Sequence, residues 1–124
     1  MQFTSRQFWL KILPLLVATN LGFVLFPAVA STMPLTQAQI DQKMETVPQW
    51  QQSEQIITRT FEFKNFVEAI AFVDKLVEPA EAAGHHPDLE VSYNKVTVSL
   101  TSHDAGGLTD KDFSLAQTIS GIAE

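Results

Sequence analysis

Residues 84–100 read Gly84-His85-His86-Pro87-Asp88-Leu89-Glu90-Val91-Ser92-Tyr93-Asn94-Lys95-Val96-Thr97-Val98-Ser99-Leu100. The second half of this stretch decides the fold class. Leu89, Val91 and Tyr93 alternate with polar residues, Asn94-Lys95 offers a two-residue turn, and Val96, Val98 and Leu100 alternate again. Period-two alternation on both sides of a short polar turn marks an antiparallel β-hairpin with one buried face. The first half reads differently. Gly84 stops a helix, and two imidazoles follow where the chain passes from helix to hairpin.

Upstream, the helix that Gly84 ends begins at Asn65, which caps it with Glu68 at the capping-box position. Phe66, Ile70, Val73, Val77 and Ala80 recur at spacings of three and four, which predicts a buried stripe. Pro79 inside the pattern bends the helix or marks its last turns. Before it, residues 56–63 are β-rich, with Phe61 and Phe63 on one side. Earlier still, Thr36 and Gln39 form a capping box, Leu35 staples onto Ile40, and Ile40, Met44 and Val47 share a face until Pro48. Trp50 follows in a loop. Downstream, Gly106-Gly107 makes a loop and Thr109 caps a last helix with Asp112 at its third position. Phe113, Ala116 and Ile119 form that helix's apolar face.

The order helix, strand, helix, hairpin, helix predicts an α+β domain over residues 34–124. Its antiparallel β-sheet carries three helices packed on one face. Exposed edges on so small a sheet invite pairing with another subunit.

Composition narrows the function. The chain has 124 residues, suited to one domain, and no cysteine, which removes disulfides, thiolate metal sites and a cysteine nucleophile. Arg6 and Lys11 are the only charged residues before residue 31, whereas the remainder carries 6 basic and 14 acidic side chains. An acidic body with no basic stripe argues against nucleic acid as a partner.

Residues 12–30 are almost entirely apolar and end Ala28-Val29-Ala30 before Ser31. Residues 1–30 thus have the pattern of a cleaved secretory signal, so an exported protein is expected. The alternatives are an uncleaved membrane anchor through residues 12–30, the only stretch expected to contact a membrane, or a cytoplasmic protein if translation starts at Met33.

All three histidines, His85, His86 and His103, fall within one short stretch. Imidazole titrates near neutrality and moves protons at physiological pH. Taken alone, His85-His86 also reads as a solvated pair at a helix exit. Asp112 reads as an acid that stabilises a helix start, Glu81 as a solvated helix residue, and Trp50 as core packing. The spacing of the three histidines is not that of a metal-ligand set, and no metal is expected.

The ordered set Gly84-His85-His86-Pro87-Asp88, Tyr93-Asn94-Lys95-Val96, Ser102-His103 and Gly107-Leu108-Thr109-x-x-Asp112 goes further. With Trp50, Phe61-x-Phe63 and Leu115-Ala116, it resembles the pterin-4a-carbinolamine dehydratase family over roughly residues 35–122. The resemblance implies a four-stranded sheet and a homodimer or homotetramer. It implies dehydration of 4a-hydroxytetrahydropterin to quinonoid dihydropterin with no cofactor, in tetrahydrobiopterin recycling. It casts His85 and His103 as the acid–base pair, and His86, Glu81, Ser102, Asp112 and Trp50 as substrate-binding residues. Gly84, Leu89 and Ser102 depart from the residues most common in the family. The alternative is a non-enzymatic dimerisation or assembly cofactor that binds a protein partner, as some relatives are.

Overall fold

The computed structural model describes residues 33–124; the leader expected over residues 1–30 lies outside the described residues. Helix α1 spans Gln37–Met44, strands β1 and β2 span Gln51–Ser53 and Ile56–Glu62, and helices α2 and α3 span Phe66–Lys75 and Val77–Ala83. Strands β3 and β4 span Asp88–Ser92 and Lys95–Leu100, a 3₁₀ turn covers His103–Ala105, and α4 spans Asp110–Ala123. The strands form one antiparallel sheet in the order β1-β2-β4-β3.

Alternation assigns the two faces of this sheet. Ile57, Phe61, Val96, Val98 and Leu100 are buried beneath the helices with Ile40, Phe72, Leu76, Leu108, Phe113 and Ile119. Burying a side chain of this size stabilises the fold by about 1.5–3 kcal/mol. The opposite face is polar. There Thr58 pairs with Ser99 and Thr60 with Thr97 through hydroxyl hydrogen bonds of 3.1 and 2.9 Å, in register across β2 and β4. A one-residue slip would turn the apolar set to solvent and break both pairs.

The α+β class and the antiparallel sheet agree with the sequence reading. The fourth strand implied by the resemblance is Gln51–Ser53, too short and polar to show an alternating pattern. The hairpin turn sits one residue earlier than read. Ser92 pairs with Lys95, so Tyr93-Asn94 makes the loop, with Tyr93 at φ 51°. Asn94 holds the turn there: its Nδ2 donates to the Phe63 carbonyl at 2.8 Å, and its own carbonyl accepts the Phe63 N–H at 2.8 Å.

The helix expected from Asn65 to Gly84 is two helices. Pro79 has no N–H to return to the carbonyl four residues back and its ring crowds that carbonyl, so the regular ladder breaks before it, at Leu76. The buried stripe also differs. Ala69, Phe72, Leu76 and Ala80 are buried and Val73 half-buried, whereas Phe66, Ile70 and Val77 are exposed. This helix region is apolar on two adjoining faces. The stacking of Phe72 between Phe61 and Phe63, with ring centroids 4.9 Å apart in both pairs, decides which face turns inward.

Gly107 anchors the loop before α4. A Cβ there would lie 2.6 Å from Gln55 Oε1 and 3.1 Å from Pro34 Cβ. Gln55 Oε1 accepts the Leu108 N–H at 3.1 Å, so it cannot retreat without leaving that N–H unpaired. Gly107→Ala is expected to destabilise the fold by about 1–2 kcal/mol, read as a lower urea midpoint at unchanged slope.

Candidate active site

Three chain segments meet at one end of the sheet. Gly84 closes α3 in the left-handed conformation, with φ 55°. The His85 N–H then donates to the Ala80 carbonyl at 3.1 Å, which turns the chain off the helix axis. β3 starts two residues after His86, and its Asp88 pairs with Ser99 near the end of β4. The end of β4 runs on into Ser102 and His103, so antiparallel pairing alone carries His103 to the helix exit. The third segment is the start of α4, tied back by a bridge between Ser102 and Gly107.

These segments surround a cleft of about 410 Å³ lined by His85, His86 and His103, with Gly84, Thr101, Ser102, Asp104, Ala105, Thr109 and Lys111. The three imidazoles therefore share one cavity, yet their surroundings differ sharply.

The His85 side chain is only 11% exposed, and its Nε2 lies 2.6 Å from Oδ1 of Asp112, which is fully buried. Oδ2 of Asp112 accepts the Ser102 hydroxyl at 2.9 Å and the Thr109 N–H at 2.8 Å. The Thr109 hydroxyl lies 2.8 Å from Ser102 Oγ. Because Ser102 spends its single proton on Asp112, the Thr109 hydroxyl donates to Ser102. A carboxylate accepts only, so His85 donates from Nε2. That fixes the tautomer and leaves Nδ1 as the basic nitrogen. Nδ1 has no hydrogen-bond partner among the described residues.

His86 is exposed, and its Nε2 lies 2.5 Å from Oε1 of Glu81, one helical turn back on α3. The His103 side chain is 80% exposed at the cleft rim, and its Nε2 is 4.0 Å from the Asp88 carboxylate, beyond hydrogen-bond reach.

Of the residues predicted from sequence, His85, His86, His103 and Ser102 line the cleft. Glu81 does not line it and meets the site through His86. Asp112 is fully buried behind His85 and does not line the cleft. Ser102 lines the cleft, but its hydroxyl is engaged with that carboxylate. Trp50 does not line the cleft either. It is buried against Phe61, bonds to Ser120 near the far end of α4, and lines a separate cavity. An aromatic ring in a loop gives no sign of which end of the core it will fill. Sequence reasoning missed Lys111. Its place beside Asp112 in the first turn of α4, which opens onto the cleft, was the available signal.

Comparison with known proteins shows the family of the chain. The family model described as pterin 4 alpha carbinolamine dehydratase matches residues 33–122. A Picosynechococcus protein with the provisional name pterin-4-alpha-carbinolamine dehydratase is 63% identical over 88 residues, 71% of this chain and 96% of that one. A Nostoc punctiforme protein with the same provisional name is 56% identical over 93 residues, 73% of this chain and 98% of that one. Among solved structures, a transcriptional coactivator/pterin dehydratase from Brucella melitensis superposes with a TM-score of 0.71 at 32% identity, over 73% of this chain and 99% of that one. The chain belongs to the pterin 4 alpha carbinolamine dehydratase family.

Proposed function

We propose that the chain is a hydro-lyase that dehydrates 4a-hydroxytetrahydropterin to quinonoid dihydropterin by histidine acid–base catalysis, in tetrahydrobiopterin recycling. The observation that carries this reading is the sharing of one cleft by a buried, carboxylate-oriented His85 and two exposed imidazoles. The reaction breaks the C4a–O bond, removes the proton of the adjacent ring nitrogen and forms a C=N bond with release of water. It involves no net redox change and requires no nucleophile.

The two proton movements suit the two environments. His85 takes the ring-nitrogen proton at Nδ1, and the imidazolium so formed is stabilised by Asp112 behind it. His103, in contact with solvent at the rim, gives a proton to the departing hydroxyl. His86, braced by Glu81, orients the flat heterocycle. The cleft volume falls in the ordinary range for a small-molecule site.

A stopped-flow assay with freshly generated carbinolamine tests the reading. The purified protein should speed the loss of carbinolamine well above its spontaneous rate, and a rate equal to the protein-free control refutes it.

The same proposal includes a homo-oligomer. β3 is an edge strand exposed at every position, and its Leu89 and Val91 face the helix side without being covered. Phe66, Val67, Ile70 and Val77 add an uncovered apolar face on α2 and α3. Light scattering of the full chain should report a dimer or larger, and Val91→Lys should shift it toward monomer. A wild-type monomer at assay concentration counts against it.

The assembly-cofactor alternative draws on the coactivator role in the Brucella relative's description. A stoichiometric protein partner together with no turnover would favour it. Export, by the leader of residues 1–30, completes the proposal, and N-terminal sequencing of the native protein tests it.

A further inference from the structure

Near the far end of α4 lies a cavity that the proposed dehydration does not use. It measures about 320 Å³ and is lined in part by Trp50, Arg59, Ser120, Gln49, Gln117 and Glu124. Ser120 follows Asp112 by eight positions on α4, which separates this cavity from the histidine cleft by about 12 Å along the helix axis.

Arg59 is its distinctive member. On β2 it lies two residues from each of the buried Ile57 and Phe61, so its side chain points to the same helix-covered face. Its guanidinium carbon lies 4.2 Å from the Phe61 ring centroid, and Nη1 donates to Ser120 Oγ at 3.0 Å. The same oxygen accepts the Trp50 indole N–H at 2.9 Å and donates to the Ala116 carbonyl at 2.8 Å. Ser120 is thereby saturated, and it holds the arginine and the indole in fixed relation. A guanidinium carries five N–H donors, and among the described residues only one is used. No ion pair forms on Arg59 among the described residues. Burial lowers its pKa below the ordinary arginine value, with Glu124 opposing the shift.

A half-buried guanidinium with spare donors lines this cavity, and Glu124 on the same wall offsets its charge without forming an ion pair, so a ligand can take the unused donors. We infer that this cavity is a second ligand site that takes a small organic monocarboxylate, clasped by Arg59. The planar fork of the guanidinium matches a carboxylate with two parallel hydrogen bonds. Gln49 and Gln117 supply neutral polar groups at the wall, and the Trp50 indole an apolar one. Charge selects the class. Glu124 on the same wall opposes each added negative charge, so a monoanion is repelled less than a phosphate dianion in a chain of net charge −6.

The test uses the full chain and reads the Arg59 Nε–H and Trp50 indole N–H signals by NMR. The probes are benzoate, its uncharged analogue benzamide, and inorganic phosphate. Benzoate should move both signals saturably and bind at least about tenfold more tightly than either other probe. Arg59→Gln should lose about tenfold or more of that affinity, and Glu124→Gln should gain a few-fold by removing the competing charge. Equal binding of benzoate and benzamide, or a folded Arg59→Gln protein that binds benzoate as the wild type does, overturns the inference. Phosphate binding as tightly as benzoate overturns the ligand class. If Arg59→Gln loses its native spectrum, Arg59→Lys decides: the ammonium keeps the charge without the fork, so benzoate should weaken several-fold, and unchanged affinity again overturns the inference.

Discussion

His85→Ala lowers dehydratase turnover by about 10² to 10⁴-fold, the range that a positioned acid or base contributes. The expectation rests on the asymmetry among the three imidazoles. His85 is the least exposed of the three and is held by a buried carboxylate, so its Nδ1 is the most firmly positioned imidazole nitrogen of the cleft. His86 and His103 are exposed and more loosely held. Replacing His103 should cost less, about 10 to 10²-fold, because water at the rim can protonate the leaving hydroxyl in its place. Stopped-flow rates on both variants check this order, with circular dichroism to confirm the fold. If each variant turns over like the wild type, the histidine mechanism is wrong. If only the order is reversed, the assignment of base and acid is wrong.

The second large effect is at Asp112, where fold and proposed chemistry share one carboxylate. Oδ2 accepts the N–H of the α4 cap residue and the Ser102 hydroxyl, while Oδ1 accepts from His85. Asp112→Ala leaves those donors facing an apolar void. Each buried donor left unpaired costs about 1–3 kcal/mol, so the variant loses a large share of the roughly 5–15 kcal/mol that holds a domain folded. A corresponding fall of the denaturant midpoint is the expected result. Asp112→Asn separates stability from catalysis. An amide can still accept from Ser102 or Thr109, so it destabilises less. If its NH₂ turns to His85, Nε2 must accept, the ring proton moves to Nδ1, and the base is lost. The matching change in a Ser-His-Asp triad lowers turnover about 10⁴-fold, and a loss of at least about 10² is expected here. A stable Asp112→Asn protein with wild-type turnover would mean that the carboxylate serves the fold alone.

Much of this arrangement was legible in one dimension because the signals are local. Thr36 with Gln39 and Thr109 with Asp112 cap their helices as the spacing said, since a cap reaches only three residues. The hairpin of β3 and β4 followed from alternation. The errors arose where two local readings were nearly equal. Asn94-Lys95 and Tyr93-Asn94 are both plausible turns, and the choice fell to the Phe63 backbone, which comes from a distant strand. The helix region after Asn65 is apolar on two faces, and Phe61 and Phe63 selected the one that Phe72 occupies.

The amino-acid sequence by itself determined the α+β class, the helix caps, the sheet's buried face and the gathering of all three histidines into one region. The caps and the alternation depend on residues within a few positions of one another, and the histidines all fall within residues 85–103. The tertiary structure alone decided that Asp112 stands behind His85 and not in the cleft, that Lys111 lines the cleft, and that Trp50 belongs with Arg59 near the opposite end of α4. Those facts join residues 27, 26 and 9 positions apart, and only the packing of whole elements fixes which way such side chains face.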